Sequence, residues 1–211
     1  MRLKLTTAAI VGAAMLLAAT AWANTDPITF NFDSPTGVLG TSQTYTAGGF
    51  TLTAYGFSSA NTPTDLYGKN AGGDQMGLGI ADLPQHEIGG SAFVQVNLTP
   101  LLAQFTSGML SISSVQPGEN YDIWLSSSLG VLGTEIITNG TLDNTPFPIN
   151  FSTGMPYLGV SAGTSGNVLL STLSVTATTP EPATLSLFGI GLFLAAFLIR
   201  RSNLSLNRLE S

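Results

Sequence analysis

Residues 50–57 read FTLTAYGF, and the alternation in this stretch decides the fold. Phe50, Leu52 and Ala54 fall on one side of an extended chain, and Thr51, Thr53 and Tyr55 on the other. Successive side chains of a strand point to opposite faces, so a period of two predicts a half-buried strand. The pattern recurs outward in both directions. ITFNFD (28–33) aligns Ile28, Phe30 and Phe32; AFVQVNL (92–98) aligns Ala92, Val94, Val96 and Leu98. MLSISSV (109–115), NYDIWLSS (120–127), FPINFS (147–152), YLGVS (157–161) and LLSTLSVTA (169–177) follow. Turn formers separate them: a Gly pair at 48, PGEN at 117, TNG at 138 and GTSG at 163. About eight short strands are expected, and PLLAQF (100–105) is the one helical turn in sight. The fold class that follows is all-β: an antiparallel β-sandwich, jelly-roll-like.

One segment departs from the pattern. Between Ser58 and Gly90 the alternation fails, which predicts an irregular insertion, and long loops of that kind are often functional. The insertion holds Asp65, Lys69, Asp74, Asp82, His86 and Glu87. Lys69 is the only lysine or arginine between residues 24 and 179, against ten acids, and His86 is the only histidine of the chain. So acidic a body excludes nucleic acid as a partner, because phosphates need basic side chains. There is no cysteine, so thiolate metal sites and disulfides are excluded as well.

Few residues suggest chemistry. A serine–histidine–acid device has His86 alone to draw on, no Gly-x-Ser-x-Gly elbow is present, and HEIGG lacks the second histidine of a zinc protease. No enzyme is expected. Asp65, Asp74, Asp82 and Glu87 are candidate ligands for calcium, a hard cation that accepts carboxylates and carbonyls alone. Trp124 falls on the polar face beside Asp122, opposite Ile123 and Leu125, and an exposed aromatic beside an acceptor is the form of a sugar platform. The expectation is a surface or extracellular-matrix protein that binds polysaccharide. A polysaccharide hydrolase on the same scaffold is the alternative. An ice-binding face would need a repeated Thr-x-Thr ladder, of which Thr51-x-Thr53 and Thr176-x-Thr178 are the fragments noted.

The two ends carry addresses. Residues 1–23 have the form of a secretory signal: Arg2 and Lys4, an apolar core from Ala8 to Ala19, and Ala21-Trp22-Ala23 as the cleavage pattern. The body is then 24–177. At the other end Pro180-Glu181-Pro182 precedes an uncharged run, Ala183 to Ile199, closed by Arg200 and Arg201. As a helix that run spans roughly 25 Å, within the range of membrane spans. The arginines act as a stop on the cytoplasmic side, and residues 204–211 form a short cytoplasmic tail.

This ordered trio at 178–203 resembles the C-terminal signal of the PEP-CTERM proteins of Gram-negative bacteria. The resemblance implies that a membrane transpeptidase-like enzyme, exosortase, recognises and cuts the tail at the inner membrane. The body would then reach the cell surface or the exterior, where biofilm and exopolysaccharide are its setting. The hydrophobic tail parallels other anchor signals that are discarded. GKNAGGDQMGLGI (68–80) followed by HEI (86–88) is also similar to stretches in PEP-CTERM bodies, and that likeness implies fold and no site.

Overall fold

Alternating apolar residues become paired strands because each strand can bury only one face. A computed structural model describes residues 26–176 and the single residue Gly191. The strands are β1 (Ile28–Asn31), β2 (Gly37–Gly40), β3 (Ser42–Ala47), β4 (Phe50–Ser59) and β5 (Thr62–Pro63). Next come β6 (Leu66–Asn70), β7 (Met76–Ile80), β8 (Ile88–Gly89), β9 (Phe93–Asn97) and β10 (Ser107–Ser113). The last are β11 (Tyr121–Ser126), β12 (Thr134–Gly140), β13 (Phe147–Asn150), β14 (Tyr157–Ala162) and β15 (Asn167–Val175). The one helical element among them is a 3-10 turn, Pro84–His86.

Two antiparallel sheets result. The first has the order β13-β10-β15-β7-β6-β2, with β1 and β8 also paired to β15. The second has the order β12-β11-β14-β9-β4-β3, with β5 on β4. The all-β antiparallel expectation is met. Leu52, Ala54, Val94, Val96, Ile123 and Val160 from the second sheet join Leu66, Leu78, Leu110, Ile112 and Leu170 from the first in one buried cluster. Ile28 pairs with Val175, so the chain enters and leaves this body on neighbouring strands.

Residues 50–57 behave as read up to Ala54: Leu52 and Ala54 are buried and Thr51 is exposed. Phe57 departs from the simple picture. It lies on the outer face, opposite Phe93 in the register, and stacks on that ring with centroids 5.0 Å apart. PLLAQF forms a turn closed by Phe105 N donating to Leu101 O (2.9 Å), which buries Leu101 and Phe105. Tyr45 points inward against Phe32, at 4.7 Å between centroids. Burial, with Asp33 nearby, raises its phenol pKa far above the ordinary value.

The insertion is the main correction. Residues 58–90 are largely regular: β4 runs on to Ser59, β5 pairs with it, and β6 and β7 form a hairpin inside the first sheet. The segment read as loop because glycine fills strand positions: Gly68 holds a buried position in LYGKN, and Gly77 and Gly79 alternate with Met76, Leu78 and Ile80 in MGLGI. The glycines are required by close approach. A Cβ on Gly68 would sit 1.9 Å from the Pro35 carbonyl oxygen, and one on Gly79 would sit 2.1 Å from that of His86. The signal segment 1–23, Pro180, Glu181, Pro182, the span to Ile199, Arg200, Arg201 and residues 204–211 lie outside the described residues. Among the described residues no helix is long and apolar enough to cross a membrane.

Candidate functional site

The hairpin of β6 and β7 sets up the most concentrated polar chemistry of the body. Leu66 and Leu78 face the core, so Tyr67, Lys69, Gly77 and Gly79 present the opposite face, with Tyr67 beside Gly79 and Lys69 beside Gly77. The segment 84–90 crosses that face as a strap. Glycine at 79 lets its backbone pass within contact of β7. Three side chains in a row then fasten it. The His86 ring stacks on Tyr67 at 4.0 Å between centroids. Glu87 Oε1 lies 2.7 Å from Lys69 Nζ. Ile88 turns into the core, and β8 pairs with Val168 and Asn167 of β15.

The Lys69–Glu87 pair is largely buried on the carboxylate side, with side-chain exposures of 14% for Lys69 and 1% for Glu87. It is also part of a closed ring. Lys69 Nζ donates to Gln75 Oε1. Gln75 Nε2 donates to Ser114 Oγ at 2.5 Å, and Ser114 Oγ donates to Glu87 Oε1 at 2.8 Å. Gln75 is placed by the glycine turn that closes the hairpin, where Gln75 N donates to Gly72 O and Ala71 N to Gln75 O. Ser114 reaches the ring from the end of β10 with a left-handed backbone, φ 65. A non-glycine residue in that region is uncommon and is held there by its surroundings. Beside the ring opens a shallow polar cleft of about 440 Å³, lined by Asp74, Gln75, Ser114, Val115, Gln116, Pro117 and Asp143.

The four acids expected to share a calcium ion do not converge. Glu87 is committed to Lys69 and Ser114. Asp82 accepts from Thr64 Oγ1 at 2.9 Å, and Asp74 accepts from Asn144 Nδ2 at 3.0 Å. The Asp65 carbonyl accepts from Ala81 N. Among the described residues no group of three or more acid, histidine or cysteine side chains is placed to hold a metal ion. The physical reason is the regular hairpin: acids read as neighbours in one loose loop are dispersed along strands and turns. His86 is likewise occupied, with Nδ1 2.8 Å from the Ala81 carbonyl and its ring on Tyr67.

Trp124 and Asp122 do share the outer face of the second sheet, while Tyr121, Ile123 and Leu125 are buried. Trp124 is half-buried. It lies beside Gly159 and donates Nε1–H to Ser161 Oγ at 2.9 Å. Asp122 Oδ1 accepts from Asn139 N at 2.7 Å. The loop 127–133 lies over the neighbouring part of this face, held by the buried Gln95, which accepts from Gly130 N and donates to Val131 O. The threonine count from sequence was incomplete. Thr44 and Thr46 of β3 stand opposite Thr53 and Thr51 of β4, with Thr46 and Thr51 hydroxyls 3.0 Å apart. The patch stops at two strands, because β3 is the sheet edge and β9 presents Asn97 beside Thr53.

Residues 178–202 match the family model of the PEP-CTERM protein-sorting motif. The chain carries a PEP-CTERM sorting signal. Pro180-Glu181-Pro182 and Arg200-Arg201 fall inside the matched range. Such a signal implies export, a membrane-held precursor and processing by an exosortase-type membrane enzyme before the surface is reached. No curated protein and no solved structure matches the chain. Sequence reasoning singled out Lys69 for its rarity without giving it a partner, and it missed Gln75 and Ser114. A single cation among ten acids is the signal that a specific partner exists. Nothing local announces Ser114, which lies 39 residues from Gln75.

Proposed function

We propose that the chain is an exported, non-enzymatic protein of the cell surface or extracellular matrix, whose β-sandwich binds polysaccharide. The sorting motif at 178–202 is the observation that carries this reading. The body supports it in two ways. Its serine–lysine–acid assembly is closed on itself, with Lys69, Glu87 and Ser114 bonded to one another and to Gln75 rather than open to a substrate. Its outer face offers the half-exposed Trp124 ring, whose N–H is already satisfied by Ser161. A jelly-roll-like winding is supported by the chain crossing between sheets at each step from β12 to β15.

Sorting is tested in a host carrying the processing enzyme and in the same host lacking it. The wild-type chain should lose its tail only in the first. Glu181→Ala should leave a full-length precursor in the membrane fraction, and deletion of residues 180–211 should release a soluble body. Identical full-length mass in the membranes of both hosts would make the tail a plain anchor and sink the address. The ligand is tested separately with Trp124→Ala and a panel of polysaccharides on beads. Retention should fall at least tenfold, which is about 1.4 kcal/mol of binding. Unchanged retention, or no retention of the wild type by any polysaccharide, removes the platform.

A further inference from the structure

The ring of Lys69, Gln75, Glu87 and Ser114 contains every part of an acyl-transfer reaction between two side chains. We propose that it is an autocatalytic cross-linking site, in which the Lys69 amine displaces ammonia from the Gln75 carboxamide and leaves an intramolecular isopeptide bond. The inference is independent of whether the tail is cut.

The nucleophile is at hand: Nζ donates to Gln75 Oε1, one bond away from the carbon it would attack. The proton acceptor is in place: Glu87 Oε1 lies 2.7 Å from Nζ. The leaving group is in place too. Gln75 Nε2 contacts Ser114 Oγ at 2.5 Å, and that hydroxyl contacts the same Glu87 oxygen at 2.8 Å. One carboxylate and one hydroxyl thus connect the attacking nitrogen to the departing one. Glu87 and Ser114 are each 1% exposed, which keeps the proton relay itself out of bulk water. Holding the reactants together replaces a slow bimolecular encounter with an intramolecular one.

The chemistry balances within these residues. The Lys69 ammonium passes one proton to Glu87. The neutral amine forms the Nζ–Cδ bond as the carbonyl π pair moves to Oε1. A second Nζ proton travels by way of Glu87 and Ser114 to Nε2. The carbonyl re-forms, the Cδ–Nε2 bond breaks and ammonia departs, carrying the proton first given to Glu87 as ammonium. The products are a Lys69–Gln75 amide, whose N–H faces Glu87, and a carboxylate restored to its starting charge. No oxidant, metal or co-reactant is needed. The rest of the molecule fits such a bond. The chain is exported without a cysteine, so no disulfide can staple it, and its body holds a single lysine. The bond would close the hairpin turn between β6 and β7 under the strap.

The full-length wild-type chain, purified from the membrane fraction, tests this directly. Its intact mass should be about 17 Da below that expected for its termini, the mass of one ammonia. Fragmentation should place the deficit on a branched Lys69–Gln75 species. Lys69 is the one trypsin site between Lys4 and Arg200, so the denatured chain should resist cutting there. Glu87→Gln should restore the full mass and the cut. A wild-type chain of full mass that trypsin cuts after Lys69 overturns the proposal, as does a deficit located at any other residue. The wild-type measurements decide the matter even where Glu87→Gln fails to fold.

Discussion

Relative to the chain with its Lys69 amine still free, Lys69→Met should destabilise the body by about 3–5 kcal/mol, because it strips the one cation from a carboxylate that is itself 1% exposed. Methionine keeps most of the side-chain volume, so the loss reflects charge rather than packing. Glu87 would retain the Ser114 hydroxyl and little else. Against a typical domain stability of about 5–15 kcal/mol this is a large fraction. It corresponds to a fall in Tm of roughly 10 °C for a domain of this size. The partner variant gives the sharper contrast. Adding Glu87→Leu to Lys69→Met removes the orphaned charge, and most of the loss should return, since an ion pair replaced by apolar groups is often neutral. Thermal and urea unfolding of the three proteins would check both halves. A Lys69→Met chain within about 1 kcal/mol of wild type would mean that the pair behaves as a surface pair.

Gly79→Ala should cost about 1–3 kcal/mol or more by forcing the strap off β7. The added Cβ would lie 2.1 Å from the His86 carbonyl oxygen and 2.9 Å from Glu87 Cα, and both obstacles are backbone. No rotamer change relieves that contact. The strap must move, and with it go the Tyr67–His86 stack and the Glu87–Lys69 pair. Gly154 is the control. A Cβ there meets nothing within 4 Å, so Gly154→Ala should be neutral or stabilise by up to about 1 kcal/mol through the unfolded chain. The measurement is the urea midpoint at unchanged m-value. Equal midpoints for the two variants would show that the strap does not lie against β7. Limited proteolysis offers a second readout: Gly79→Ala should open a cleavage site within 81–90 that wild type protects.

Much of this body was legible residue by residue. The alternation at 28–33, 50–54, 92–98 and 121–125 specifies which side chains face inward, since the two-residue period of a strand is a local property. The same locality made the tail readable: Pro180-Glu181-Pro182, the uncharged run and Arg200-Arg201 are contiguous, and the matched motif covers them. Local reading failed where a neighbouring segment set the requirement. Gly68, Gly77 and Gly79 answer to the backbones of Pro35, Leu170 and His86, and without those neighbours in view a glycine-rich stretch reads as loop rather than as β6 and β7.

The candidate site lies wholly on the other side of that divide. The sequence by itself determined an all-β body, its apolar faces, its single lysine and its sorting signal. Only the tertiary structure decided that Glu87 pairs with Lys69, that Gln75 and Ser114 complete the ring, and that Thr44 and Thr46 stand beside Thr51 and Thr53. The physical reason is distance along the chain. Lys69 and Glu87 are 18 residues apart and Gln75 and Ser114 are 39 apart. Such contacts are fixed by strand register and by the path of the strap over β7. Both are set by the packing of two sheets around one core, which no local pattern encodes.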